Sequence, residues 1–301
     1  MVVLCMDNRL RVLYNDIYEI AYEFILCRNS KNGPWSLYKG NKLVSNEKFI
    51  YAEATEPDRV IVMGDSGDPY VIDDNGNIVI YPDSQYIDFS GKYYLVNKII
   101  TLPDKRVYYN GYIMDRDGNI LKLFMHRELI SLGNAIIAGT DKFSDCIILN
   151  SKLETLAENA KMASLSSGIL ENNIFIIPVK NKYIVVNGVR NNKLHLLLPD
   201  EYDEVTVKQA TLILRIGNKY RLFNGTTAQV SDIEYDYIDV YDNYIILKLQ
   251  EKYSIINKIT GKSSGFKYDY VLNVSSSYIL VDIDNKKYFI DSNFAIRKQV
   301  S

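Results

Sequence analysis

Short apolar runs punctuated by turn residues recur along this chain from end to end. They begin at Phe24 (FILC), Val60 (VIVM), Tyr93 (YYLV), Ala135 (AIIA), Ile174 (IFII), Leu212 (LILR), Tyr244 (YIIL) and Tyr278 (YILV). Runs this short, closed off by turn residues, predict strands buried on both faces. Each is followed by a second signature, usually an aromatic, two apolar residues, then Asp or Asn, often with Gly. It begins at Trp35 (WSLYKGN), Tyr70 (YVIDDNGN), Tyr112 (YIMDRDGN), Cys146 (CIILNSK), Tyr183 (YIVVNG), Tyr220 (YRLFNG), Tyr253 (YSIINKITG) and Tyr288 (YFIDSN). Successive signatures lie 33 to 42 residues apart. A weaker element precedes each pair, clearest as YDEVTV at Tyr202, YDYIDV at Tyr235 and YDYVLN at Tyr268, spaced 33 residues each time. The pattern predicts one small antiparallel sheet of three or four strands, copied along the chain.

Turn chemistry supports the same register. Asp74 to Asn77 and Asp117 to Asn119 supply Asn and Gly, which tolerate the positive φ of tight hairpins. Pro34 and Pro69 each stand just before a signature, where the backbone enters an extended segment. The segment Leu153 to Leu165 (LETLAENAKMASL) has mixed spacing and reads as strand slightly better than as a short helix. Residues 1–15 read as the latter half of a repeat. The remaining repeats fall near 16–46, 47–81, 82–122, 123–157, 158–199, 200–232, 233–266 and 267–301, and no Ser/Gly-rich linker divides them.

Repeats of about 36 residues must stack to bury their faces. Radial closure into a β-propeller leaves only short, protected edges, whereas an open solenoid needs polar caps. The C-terminal YFIDSNFAIRKQVS still reads as strand, so an all-β propeller is expected over a single domain, 1–301. Eight signatures imply eight blades, with seven the alternative count and an open β-repeat solenoid the alternative architecture.

The succession Y-D-x-I, apolar strand, Asn-Gly-Lys-aromatic, two apolar residues, Asp, Asn-Gly resembles the bacterial WG-repeat proteins. Asn32-Gly33-Pro34-Trp35-Ser36-Leu37 is the nearest stretch, and Asn257 to Lys262 is similar to that family's closing turn. Serine follows Trp35, and tyrosine stands at most of the equivalent positions. The resemblance implies β-repeat interaction modules rather than one activity.

Composition narrows the function classes. Tyrosine is abundant, with 25 copies against a single tryptophan, and suits a half-buried pleated surface. A net charge of −2 without a basic stripe argues against nucleic acid as a partner. No apolar run approaches the roughly 18 residues of a membrane span, and no signal peptide is read at the N-terminus. The expectation is a cytoplasmic or virion protein with no membrane insertion. Cys5, Cys27 and Cys146 form no C-x-x-C pair and read as buried thiols.

Candidate chemistry is sparse. His195 lies in an apolar strand and His126 in a polar loop, with no nucleophile elbow nearby in sequence. Asp115-Arg-Asp117-Gly-Asn119 has the alternating oxygens of a calcium loop but lacks its later glutamate, and Asp65-Ser-Gly-Asp68 is similar. Asp232, Glu234, Asp236, Asp239 and Asp242 form a dense acidic stretch, the residue type that hydrolyses glycosides. No phosphate-binding glycine loop occurs, and no cofactor or metal is expected. Trp35 and Tyr38 are the candidate ligand-contact pair, with core packing as the alternative. The reading is a non-enzymatic interaction scaffold within a larger complex or homo-oligomer, such as a phage tail or baseplate part or a bacterial accessory module. A carbohydrate-binding propeller and a hydrolase with channel carboxylates are the alternatives.

Overall fold

The computed structural model describes residues 2–6, 9–14, 16–80, 86–132, 135–140, 143–164, 173–209, 211–224, 229–275 and 278–300. Among these the chain is all-β: small antiparallel sheets follow one another in sequence order, and no α-helix occurs. Two compact units emerge, residues 1–158 with 189–193, and residues 159–188 with 194–301. The divisions fall inside strands Thr155–Ser164 and Lys182–Arg190. The first of these shows that the 153–165 segment is strand from Thr155 to Ser164; Leu165 lies outside the described residues.

The first unit opens with the hairpin Val2–Met6/Arg9–Tyr14. A sheet of Asp16–Ala21, Phe24–Arg28, Ser36–Lys39 and Lys42–Leu43 follows. Next come Tyr51–Glu56, Arg59–Met63, Pro69–Asp73 and Ile78–Ile80, then Tyr86–Phe89, Tyr94–Thr101, Val107–Met114 and Ile120–Phe124. Glu128–Leu132, Ala135–Gly139 and Cys146–Leu149 pair in turn. In the second unit the meander of residues 159–164, 173–179 and 182–188 precedes three further sheets, whose first and last strands are Glu204–Lys208 and Gln229–Val230, Tyr237–Val240 and Lys252–Asn257, and Tyr270–Val274 and Ile296–Val300.

The second strand of each sheet is central and buried on both faces, which explains its unbroken apolar run. Because side chains alternate, one strand serves two cores. Val60 and Val62 pack with Phe24, Leu26 and Leu37 of the preceding sheet. Ile61 between them packs with Ile87, Tyr94 and Val96 of the following sheet. Leu95 then joins Leu129, Ile136 and Ala138. The second unit repeats the scheme, with Ile245 and Leu247 packed alongside Ile213, and Ile246 alongside Ile279 and Val281. Each fully buried side chain of this size stabilises by roughly 1.5–3 kcal/mol. No sheet owns a complete core; neighbours share it. Cys27 is buried in the second strand Phe24–Arg28 and Cys146 in the third strand Cys146–Leu149, whereas the side chain of Cys5 lies outside the described residues.

Consecutive sheets are also stitched through the backbone. Trp35 and Phe49 exchange both N–H···O bonds, at 2.7 and 2.9 Å. Tyr183 with Tyr202, Tyr220 with Tyr235, and Tyr253 with Tyr268 do the same. The residue after each receiving aromatic then turns the other way. Ile50, Asp203, Asp236 and Asp269 donate their N–H groups to Met63, Arg215, Lys248 and Asp282 of their own sheet. The Tyr-Asp dipeptide is thus the joint between modules. The lysine preceding each donor tyrosine closes the joint: Lys219 meets Asp236 at 2.5 Å and Lys252 meets Asp269 at 2.6 Å, with Lys182 and Asp203 at 4.0 Å. Exposed pairs of this kind are worth about 0–1 kcal/mol, so the backbone bridges and shared cores carry the junction.

Gly111, in the middle of strand Val107–Met114, permits one close approach between sheets. A Cβ there would lie 2.4 Å from Leu129 Cγ and 3.0 Å from the Arg127 carbonyl oxygen. Gly111→Ala is expected to cost about 1–3 kcal/mol through overpacking, seen as a lower denaturation midpoint at unchanged m-value.

Candidate functional site

The first strand of each sheet buries only one face. In the first unit its outward positions carry tyrosines and carboxylates. Tyr51 and Tyr86 occupy one register position, opposite Met63 and Asn97, and are 46 % and 52 % exposed. Glu53 and Asp88 follow two residues later and point the same way. Tyr51 donates its hydroxyl proton to Glu53 at 2.5 Å, and burial first, then Glu53, pushes the phenol up to about 12. Burial also raises Tyr86, helped by the charges of Asp88, Glu53 and Glu128. These groups, from three consecutive sheets, therefore share one electrostatic neighbourhood.

Burial raises the Asp88 carboxyl, and Glu53 raises it further, against the opposing hydrogen bonds from the Phe89 and Ser131 amides. Burial alone raises Glu128. A folded-state pKa above the unfolded value means that the native protein binds the proton more tightly. Stability then falls as pH rises from the unfolded toward the folded pKa, and the full penalty persists at neutral pH. Asp88→Asn keeps an acceptor for the Phe89 amide, 2.8 Å from Asp88 Oδ1, and removes the charge. It is expected to raise the melting temperature at pH 7 and to have little effect below pH 4; thermal unfolding followed by circular dichroism at both pH values checks this.

Glu128 occupies the tyrosine register position of the next sheet, paired with Gly139. It lines a cavity of about 420 Å³ whose other walls are Arg106, Val107, Tyr108, Tyr109, His126, Gly139 and Thr140. The cavity arises because the hairpin Tyr94–Thr101/Val107–Met114 is paired over eight residues on each arm, more than the other described hairpins, and brings its tip to the 125–127 turn. Tyr108 and His126 stack with ring centroids 4.7 Å apart, and the His126 amide donates to Asn110 Oδ1 at 3.0 Å. Arg106 is held by Asp104 at 2.7 Å.

The residues singled out by sequence are distributed differently. Trp35 is half-buried against the first core, with the Arg28 guanidinium 4.2 Å above its ring, and its backbone forms the bridge to Phe49. Tyr38 lies three residues further along an extended segment and so faces the opposite side. The two do not form one contact surface. His195 is half-buried, with Nδ1 2.6 Å from Asn187 Oδ1. The Asp115 carboxylate is taken up by its own turn, accepting from the Asp117 and Asn119 amides and from Asn119 Nδ2, and the Asn119 bond leads in holding it below the ordinary range. In the acidic stretch, Glu234 pairs with Arg221, Asp236 with Lys219, Asp239 with Lys208, and Asp242 with Gln209, so these carboxylates engage separate partners. Among the described residues no group of three or more His, Cys, Asp or Glu side chains is placed to hold a metal, at the Asp65–Asp68 loop or elsewhere. No described helix is long and apolar enough to cross a membrane.

No protein-family model and no curated protein matches the sequence. Among solved structures the chain is similar to a eukaryotic initiation factor at 12 % identity and a TM-score of 0.34, covering 88 % of this chain and 92 % of that one. The AfRom2 CNH domain gives 10 % identity and a TM-score of 0.31 over 96 % of this chain and 94 % of the other. PorZ of Porphyromonas gingivalis, a bacterial surface component of the type-IX secretion system, gives 11 % identity and a TM-score of 0.31, covering 90 % of this chain and 43 % of its own. Likenesses this distant carry no argument about activity.

Proposed function

We propose that this chain is a non-enzymatic β-module scaffold, akin in plan to the WG-repeat proteins, that binds other proteins through the outward face of its first strands. The supporting observation is the recurrence of an exposed tyrosine at one register position. Tyr51 and Tyr86 stand there in the first unit, and Tyr237 and Tyr270, at 44 % and 59 % exposure, in the second. Core packing does not explain a large amphipathic ring kept in solvent, whereas interfaces are enriched in tyrosine. In the first unit the alternating carboxylates Glu53 and Asp88 favour a basic partner surface. A radial, propeller-like succession of sheets belongs to the same proposal, because it would line up these first strands along one wall.

The test is affinity purification of the tagged chain from its native cell, with quantitative mass spectrometry. A stoichiometric partner recovered with the unaltered chain and lost with Tyr51→Ser/Tyr86→Ser supports the proposal. Retention of every partner by that variant, at unchanged melting temperature, would overturn it.

A further inference from the structure

In the sheet that begins at Glu128, a carboxylate replaces the exposed tyrosine of its neighbours, and the residue opposite is Gly139. Among the described residues the Glu128 carboxylate has no hydrogen-bond or ion-pair partner, and burial is the one influence on it. The cations around it are already neutralised: Arg106 is paired with Asp104 at 2.7 Å, and Arg127 with Asp145 at 2.8 Å. Tyr108, Tyr109 and His126 supply aromatic walls, and Val107, Gly139 and Thr140 complete the described lining. Asp88 and Glu53, which act with Glu128 on Tyr86, add negative potential from the same face. A half-buried, unpaired carboxylate beside aromatic side chains attracts an organic cation: the carboxylate supplies a charge-assisted acceptor, and the aromatic side chains supply an apolar surface for its alkyl stem.

We propose that this cavity binds a primary ammonium group, with Glu128 accepting its N–H donors and the alkyl stem lying against Tyr109 and His126. The volume of about 420 Å³ admits a lysine side chain or a short alkyl polyamine. The lysine source rests on the scaffold reading; the polyamine source does not.

Titration calorimetry at low ionic strength on the full chain separates these. The probes are putrescine, a blocked Gly-Lys-Gly peptide, and the same peptide acetylated at Nζ. Saturable binding of an amine is expected, weakened about tenfold or more by lysine acetylation and by Glu128→Gln, the loss of one charge-assisted hydrogen bond. Tighter binding of the peptide assigns the site to a protein lysine; tighter binding of putrescine assigns it to a free polyamine. Thermal unfolding of Glu128→Gln confirms that the variant folds, and Tyr109→Ala supplies a second variant expected to weaken binding. Absence of saturable amine binding, or equal affinity for the acetylated peptide or for Glu128→Gln, would overturn the assignment. Loss of partner capture with Tyr51→Ser/Tyr86→Ser alongside failed amine binding would remove this inference and leave the scaffold proposal standing.

Discussion

Replacing Asn97 with leucine is expected to lower the unfolding free energy by roughly 2–6 kcal/mol, the cost of two buried backbone groups left without partners. Asn97 is 1 % exposed, in the strand Tyr94–Thr101. Its Nδ2 donates to the Leu129 carbonyl at 2.8 Å, and its Oδ1 accepts from the Leu129 amide at 2.7 Å. Leu129 is fully buried and sits opposite Ala138 at a position where neither of its backbone groups points into its own sheet. The side-chain amide therefore does for this junction what the paired backbones of Trp35 and Phe49 do for an earlier one. Leucine has a similar volume and is apolar, so simple burial bookkeeping would class the change as harmless or favourable. The two criteria give opposite signs, and urea unfolding decides between them. An unchanged or higher midpoint would show that Asn97 contributes no net stability to the junction.

The same junction shows what could be read in the chain and what could not. The doubly buried second strands, such as Val60–Met63 and Tyr244–Leu249, were legible because burial on both faces leaves an uninterrupted apolar run. The small antiparallel sheets were legible for the same reason, helped by the Asp and Asn turns. Asn97 was not, because an asparagine closing the run Tyr93-Tyr-Leu-Val resembles a strand terminator. Its partner lies 32 residues away and leaves no local periodicity. Gly111 misleads similarly: Asn110-Gly111 has the form of a turn dipeptide, yet lies within a long strand because Leu129 needs the space. Trp35 stands out in the sequence as the single tryptophan, although Tyr183, Tyr220 and Tyr253 occupy equivalent bridging positions. His126 read as a loop residue because only the length of the 94–114 hairpin brings Tyr108 against it. Glu128 did leave a trace. Aligned on the buried apolar residue that follows it, it stands where Tyr51, Tyr86 and Tyr237 stand.

Those equivalences lead to a prediction of comparable size. Phe49 is fully buried in the first core, and Phe49→Ala is expected to cost about 3–5 kcal/mol as a truncated core aromatic. Tyr202 occupies the corresponding position in the next bridge of this kind, packed among Ile174, Val185, Leu212 and Phe223. It is 1 % exposed, its hydroxyl has no hydrogen-bond partner among the described residues, and burial pushes the phenol up to about 12. The hydroxyl contributes nothing to packing that a phenyl edge would not, and its desolvation is uncompensated. Tyr202→Phe is therefore expected to stabilise by about 1–3 kcal/mol, and the reverse change, Phe49→Tyr, to destabilise. Alanine at 202 should match alanine at 49, because the ring rather than the hydroxyl fills the joint. Denaturant midpoints for the four variants test this directly. A Tyr202→Phe protein less stable than its parent would mean that the hydroxyl does find a partner in solution.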